Sequence, residues 1–165
     1  VGKCQNGPQS KAIMFRGINA ITIDGKGRLA LPARIRDALS LENSSPLVLT
    51  IDTEETCLLL YPETEWQVIE SKLQSLPSFN TAARRIQRLL IGHATDVDVD
   101  NSGRVLLPQL LRDYAHLNKH AVMIGQGNKF EIWDETLWQQ RREHWLAEEA
   151  EQQDALPDEM KTFSL

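Results

Sequence analysis

Residues 21–39 (ITIDGKGRLALPARIRDAL) recur 76 positions later as residues 97–115 (VDVDNSGRVLLPQLLRDYA). Seven of the 19 aligned positions are identical: Asp24/Asp100, Gly27/Gly103, Arg28/Arg104, Leu31/Leu107, Pro32/Pro108, Arg36/Arg112 and Asp37/Asp113. Ile21/Val97, Ile23/Val99 and Leu29/Val105 exchange one aliphatic side chain for another. The likeness resumes at an offset of 72, where YPETEW at 61–66 matches WDETLW at 133–138, so copy one carries four extra residues. Their expected place is the turn at 52–56. A unit this small buries too little apolar surface by itself, so the two copies are expected to share a core.

Both copies predict the same elements. A strand (18–23; 95–99) leads through a glycine-containing turn to a second strand (28–31; 104–107), and Pro32 or Pro108 opens a short helix in its first turn. A hairpin follows, 47–51 with 57–61 in copy one and 121–124 with 129–133 in copy two. Gly125 and Gly127 stand between two strands, not between a strand and a helix, which argues against a phosphate-binding loop. Between the copies, Trp66, Ile69, Leu73 and Leu76 recur at helical spacing before Pro77 ends the run. A second helix is predicted from about 80 to 91, its apolar face formed by Ala82, Ile86, Leu89 and Leu90. Arg84, Arg85 and Arg88 fall within about 100° of arc on the opposite side. That stripe reads either as a solvated face paired with Glu63, Glu65 or Glu70, or as a surface for phosphate or for another subunit. After copy two, Asp134 can cap a helix through about 150, and the acidic remainder is expected to be poorly ordered.

The fold class is therefore α+β and β-rich. Residues 1–13 form a leader or tag-like extension, 18–65 the first module, 66–91 a helical hairpin, 94–137 the second module, and 138–165 a C-terminal helix with an acidic tail. The first 13 residues lack the apolar core of a secretory signal and read as a polar leader, a tag remnant or an early translation start. No apolar run approaches the roughly 20 residues that cross a bilayer, so no membrane partner is expected. Two cysteines, Cys4 and Cys57, are too few for a disulfide framework, and Cys57 reads as a small core residue in a reducing, cytoplasmic setting.

The formal net charge of −5 does not suggest a nucleic-acid binder. Its distribution changes the reading. Residues 14–142 hold 15 basic and 16 acidic groups, whereas residues 143–165 alone carry −6, so a nearly neutral body remains free to present a local basic patch. The repeated turn is the candidate for that patch. In Asp24-Gly-Lys-Gly-Arg28 and Asp100-Asn-Ser-Gly-Arg104 the aspartate can accept bonds from turn amides, and Gly27 or Gly103 can take a positive φ. An arginine is left at the exit of the turn, placed to grip guanine O6/N7 or a phosphate, with Lys26 adding charge at the tip.

Other chemistry finds little footing. Asp96, Asp98 and Asp100 share a strand face, which reads as a charged edge that discourages strand pairing and not as a metal site. His116 and His120 have no Cys or Glu partner, His93 and His144 have no catalytic partner, and no nucleophile elbow, Walker loop or paired-carboxylate pattern occurs. No enzyme activity, metal or cofactor is expected.

From MFRG at 14–17 to about Trp145 the chain resembles the MraZ family, whose halves are each related to the AbrB/SpoVT swapped-hairpin module. The resemblance rests on MFRG, the two DxxxR turns, the LP pairs at 31–32 and 107–108, ARRIQR at 83–88 and GQGNKFEIWDE at 125–135. It implies two tandem swapped-hairpin modules forming a shared small barrel. It further implies a nucleoid-associated repressor of the division and cell-wall gene cluster, including its own promoter, that assembles into a ring-like homo-oligomer. Double-stranded promoter DNA with short direct repeats is the implied partner and Arg28 a DNA contact, with Lys26, Arg16 and Arg104 as further candidates. Copy two departs from copy one in having Ser102 in place of Lys26. The alternative on the same fold is a protein-interaction scaffold or antitoxin-like adaptor.

Overall fold

The computed structural model describes residues 14–40 and 46–151. The expectations for residues 1–13, Cys4 included, and for the tail beyond 151 lie outside the described residues. In chain order the elements are β1 (Ile18–Thr22), β2 (Arg28–Ala30), α1 (Ala33–Ser40), β3 (Leu47–Ile51), β4 (Leu58–Pro62), α2 (Glu63–Gln74) and α3 (Thr81–His93). Copy two follows as β5 (Thr95–Val97), β6 (Arg104–Leu106), α4 (Gln109–Tyr114), β7 (His120–Gly125), β8 (Phe130–Asp134) and α5 (Glu135–Glu151).

Strand pairing crosses repeatedly between the copies. β1 pairs antiparallel with β7, β3 with β5, β2 with β6 and β4 with β8, while the hairpins β3/β4 and β7/β8 each stay within one copy. The outcome is a six-stranded sheet in the order β1-β7-β8-β4-β3-β5 and a two-stranded ribbon of β2 and β6. Neither copy completes this sheet alone. The α+β fold and the shared core expected from the repeat are both present.

Apolar positions of the repeat converge on that core. Leu29 and Val105, Leu31 and Leu107, and Ile35 and Leu111 are each at most 4% exposed, packed with Leu49, Leu60, Met123 and Ile132 of the sheet. On the sheet's other face Trp66 and Leu73 of α2 meet Val48, Leu59, Tyr61 and Trp133, with Leu90 of α3 and Trp138 of α5 alongside. Burial on both faces explains why LVLTI and LLLYP are almost uniformly apolar and do not alternate. Thr50 interrupts the run, and its hydroxyl is satisfied by donating to Leu90 O at 2.7 Å.

Three local expectations need correction. Pro108 sits at the N-cap with ψ 143° and Gln109 is the first helical residue, while α1 likewise begins one residue after Pro32. The prolines therefore precede the first turn, where their carbonyls accept from the Arg36 and Arg112 amides at 3.0 Å. On α3 the packed side chains are Leu89, Leu90 and Ile91, whereas Ala82 and Ile86 are exposed, because the half of the helix near Leu90 is the half fastened to β3. Finally, Leu49 opposes Leu60 and Met123 opposes Ile132, so only two of the four extra residues lie in the β3–β4 turn. The other two fall between α1 and β3.

The last helix ties both copies together. Asp134 accepts the Leu137 amide at 3.1 Å as the expected cap, and Arg141 grips Glu55 of the β3–β4 turn through Nε (3.0 Å) and Nη2 (2.5 Å). Trp133, Trp138 and Trp145 pack with ring centroids 5.7 to 6.1 Å apart. Among the described residues no helix is long and apolar enough to cross a membrane.

Candidate nucleic-acid interface

The two DxxxR turns fold alike. Asp24 Oδ1 accepts the amides of Lys26 and Arg28, both at 2.9 Å, and Oδ2 accepts Arg28 Nε at 2.7 Å. Asp100 repeats the pattern with Ser102 N at 2.8 Å, Arg104 N at 2.9 Å and Arg104 Nε at 3.1 Å. Gly27 and Gly103 close the turns at φ 85° and 75°, in the left-handed region that a side chain disfavours. Because Arg28 spends only Nε on Asp24, its two terminal NH2 groups have no partner among the described residues. That is the fork which a carboxylate, phosphate or guanine edge accepts in bidentate fashion.

The tether is electrostatically firm. Bonds from the Arg28 backbone, assisted by its guanidinium and by the Lys26 amide, hold the Asp24 carboxyl at about 2 against its ordinary 3.8. Asp100 is lowered for the same reasons, the Arg104 amide first. A depressed folded value means that the stabilising contribution is complete above pH 3.8 and is lost as pH falls toward 2. In an NMR titration the Asp24 carboxyl signal should move with a midpoint near 2 and stay flat from pH 5 to 8.

What surrounds the turns differs. The groove beside the copy-one turn is lined by Thr22, Asp24, Arg112, Asn118 and Lys119, and exposed Lys26 stands at its tip. Beside the copy-two turn lie Arg36, Asp37, Asp98, Asp100 and Asn101. The groove beside the turn is thus cationic in copy one and acidic in copy two. An approaching polyanion favours the first.

Comparison with known proteins matches the repeat to a family. The family model described as "MraZ protein, putative antitoxin-like" matches residues 14–89 and again 90–158, once for each copy. The chain belongs to the MraZ family. Proteins named Transcriptional regulator MraZ align over 152 residues, 92% of this chain and all of their own length. The one from Legionella pneumophila (strain Paris) is 72% identical, that from Coxiella burnetii (strain RSA 493 / Nine Mile phase I) 54%, and that from Halorhodospira halophila (strain DSM 244 / SL1) 52%.

Not all the sequence candidates of this MraZ-family chain gather at one place. Lys26 and Arg28 share the copy-one turn, and Arg104 lies on the antiparallel neighbour strand, β6. Arg16 is exposed at the far end of β1, where Phe15 stacks on Phe130 at 4.4 Å and pairs with Gly127. Arg84, Arg85 and Arg88 are exposed on α3, and the ion pairs expected with Glu63, Glu65 or Glu70 do not occur among the described residues. Asp96 and Asp98 are exposed beside or on β5, an edge strand of the sheet.

Two features were not recognised from the sequence. One is a group formed by Asp52, Cys57 and Glu131, whose ligand atoms lie within 4.8 Å of one another. Burial, reinforced by the neighbouring carboxylates, pushes the Cys57 thiol well above its ordinary range, so it remains protonated and donates weakly to Asp52. The other is the cross-copy pair Arg36 and Arg112. A Cβ built on Gly27 would lie 2.5 Å from Arg112 Cζ, and one on Gly103 would lie 2.6 Å from Arg36 Cδ. Each copy's helix arginine therefore lies against the other copy's turn. Their signal was present among the seven identities of the repeat, but nothing in the sequence says that the partners are exchanged.

Proposed function

We propose that this MraZ-family protein is a transcriptional repressor that reads short direct repeats in double-stranded promoter DNA through the Arg28-bearing turn. The observation that carries this reading is the guanidinium fork of Arg28, without a partner among the described residues, aimed by Asp24 on the turn that also carries Lys26, with Lys119 lining the groove beside that turn. The names of the relatives support a role in transcription. The target follows from the family resemblance: the promoter of the division and cell-wall cluster, which includes the protein's own gene, bound by a nucleoid-associated cytoplasmic protein. Binding of DNA is the whole activity in this reading, without catalysis, metal or cofactor.

One turn spans too few base pairs for genomic selectivity, so several subunits must act on adjacent repeats. A ring-like homo-oligomer supplies them. Leu106 and Leu110, 57% and 67% exposed, stand where copy one has Ala30 and Arg34, an apolar face that supports contact with a further subunit. The arginines of α3, which have no ion-pair partner among the described residues, are a second candidate surface, for phosphate or for a neighbouring subunit.

An electrophoretic shift with the protein's own promoter against random DNA tests the function. Saturable binding of the promoter at concentrations at least about 10³-fold below those needed for random DNA is expected. Equal affinity for both would leave the scaffold or adaptor reading in its place.

A further inference from the structure

We infer that Arg112 is a positioning residue for DNA reading, a brace that copy two supplies to hold the copy-one turn and with it Arg28. The inference rests on the proposed reading of DNA by that turn. Its basis is a closed circuit of contacts between the copies. Leu107 N donates to Gly27 O at 2.9 Å, Arg112 Nε donates to Leu107 O at 3.0 Å, and the Arg112 guanidinium returns to lie against Gly27. Arg112 Nη2 donates to Gln109 Oε1 at 2.9 Å, and Gln109 Nε2 in turn donates to Asp113 Oδ1 at 2.6 Å. The guanidinium is fixed at two atoms, and its flat face closes the space over Gly27, the turn glycine held at positive φ.

The pseudo-equivalent circuit is incomplete. Leu31 N donates to Gly103 O at 2.9 Å and the Arg36 side chain lies against Gly103, as the repeat demands. Copy one, however, has Ala33 where copy two has Gln109, and Arg36 makes no side-chain hydrogen bond among the described residues. The firm brace thus serves the turn in cationic surroundings, and the loose one serves the turn in acidic surroundings. A reading arginine gains from such support because a bidentate base contact tolerates little displacement, and residues that lock it restrict its alternatives. Arg112 has already committed Nε and one NH2 group to protein acceptors and faces the turn backbone, so it acts through Arg28 and not on the base.

The test compares Arg112→Ala, Gln109→Ala and Arg36→Ala with the parent, as full-length oligomers, on promoter repeats and on random DNA over a range of salt. Arg112→Ala should weaken promoter binding about tenfold, part of the roughly 5- to 150-fold that one bidentate contact supplies, and lower random-DNA affinity by much less than that. Gln109→Ala, which keeps the guanidinium but removes one of its two ties, should show a smaller loss of the same kind. Amide exchange of Lys26, Gly27 and Arg28 should accelerate in both. The dependence of log affinity on log salt should keep its slope, since a lost phosphate contact would lower it by about 0.9. Unchanged discrimination in Arg112→Ala, an equal loss in Arg36→Ala, or a reduced salt slope would each overturn the inference. If Arg28→Ala itself binds promoter repeats like the parent, the reading beneath it fails instead.

Discussion

Arg28→Ala is expected to remove most of the discrimination between promoter repeats and random DNA while leaving a folded oligomer. Each engaged turn loses a bidentate contact valued at about 1–3 kcal/mol, and the losses multiply across the turns that bind together. With two turns engaged, specific affinity should fall by about 10²-fold or more. Folding should survive, because the Arg28–Asp24 pair is about one-third exposed and such pairs contribute about 0–1 kcal/mol. Asp24 would still accept the Lys26 and position-28 amides that shape the turn. Arg104→Ala should cost less than about tenfold, since its turn borders a groove lined by Asp37, Asp98 and Asp100 and lacks a lysine at the tip. Titrations of both variants with labelled promoter and random duplexes, with light scattering to verify assembly, make the comparison. A smaller loss for Arg28→Ala than for Arg104→Ala would assign the reading to copy two.

The second large effect lies on the DNA side. Successive subunits of a ring meet one face of the duplex only if the repeats recur at about one helical turn, roughly 10–10.5 base pairs. Inserting five base pairs between two repeats turns the second by about half a revolution and should remove cooperative binding, leaving the affinity of a single repeat. An insertion of ten base pairs restores the phase and should recover much of it. Equal binding to the native, five-base-pair and ten-base-pair spacings, measured on otherwise identical probes, would mean that each repeat is bound independently.

The parts of this arrangement that were legible in sequence are those in which a residue acts on its own neighbours. Asp24 and Arg28 are four positions apart, Gly27 between them meets a local demand for positive φ, and Asp134 caps the helix that follows it. All three come from local geometry. Pairing between copies is not local. The offset of 76 shows that a unit recurs, but β1 finding β7 and Arg112 finding Gly27 depend on the interleaving of the copies. The apolar runs of β3 and β4 marked buried strands without telling which helices cover them, since Leu and Val pack equally well against either layer. The α3 periodicity named an apolar stripe longer than the sheet covers, so Ala82 and Ile86 remain exposed. The arginine stripe was placed on the correct helix, but that Glu63, Glu65 and Glu70 do not pair with it is a matter of tertiary position that no spacing encodes.

In the proposed reading of DNA, the Arg28 fork touches guanine in the major groove. A double cycle tests it most directly: parent and Arg28→Ala proteins are each titrated with the promoter repeat and with the same repeat carrying 7-deazaguanine, which lacks the N7 acceptor. If Arg28 reads that edge, the base change weakens the parent and leaves the variant unaffected, with a coupling of about 1–3 kcal/mol per engaged turn. If the two losses simply add at every guanine of the repeat, Arg28 does not read that edge.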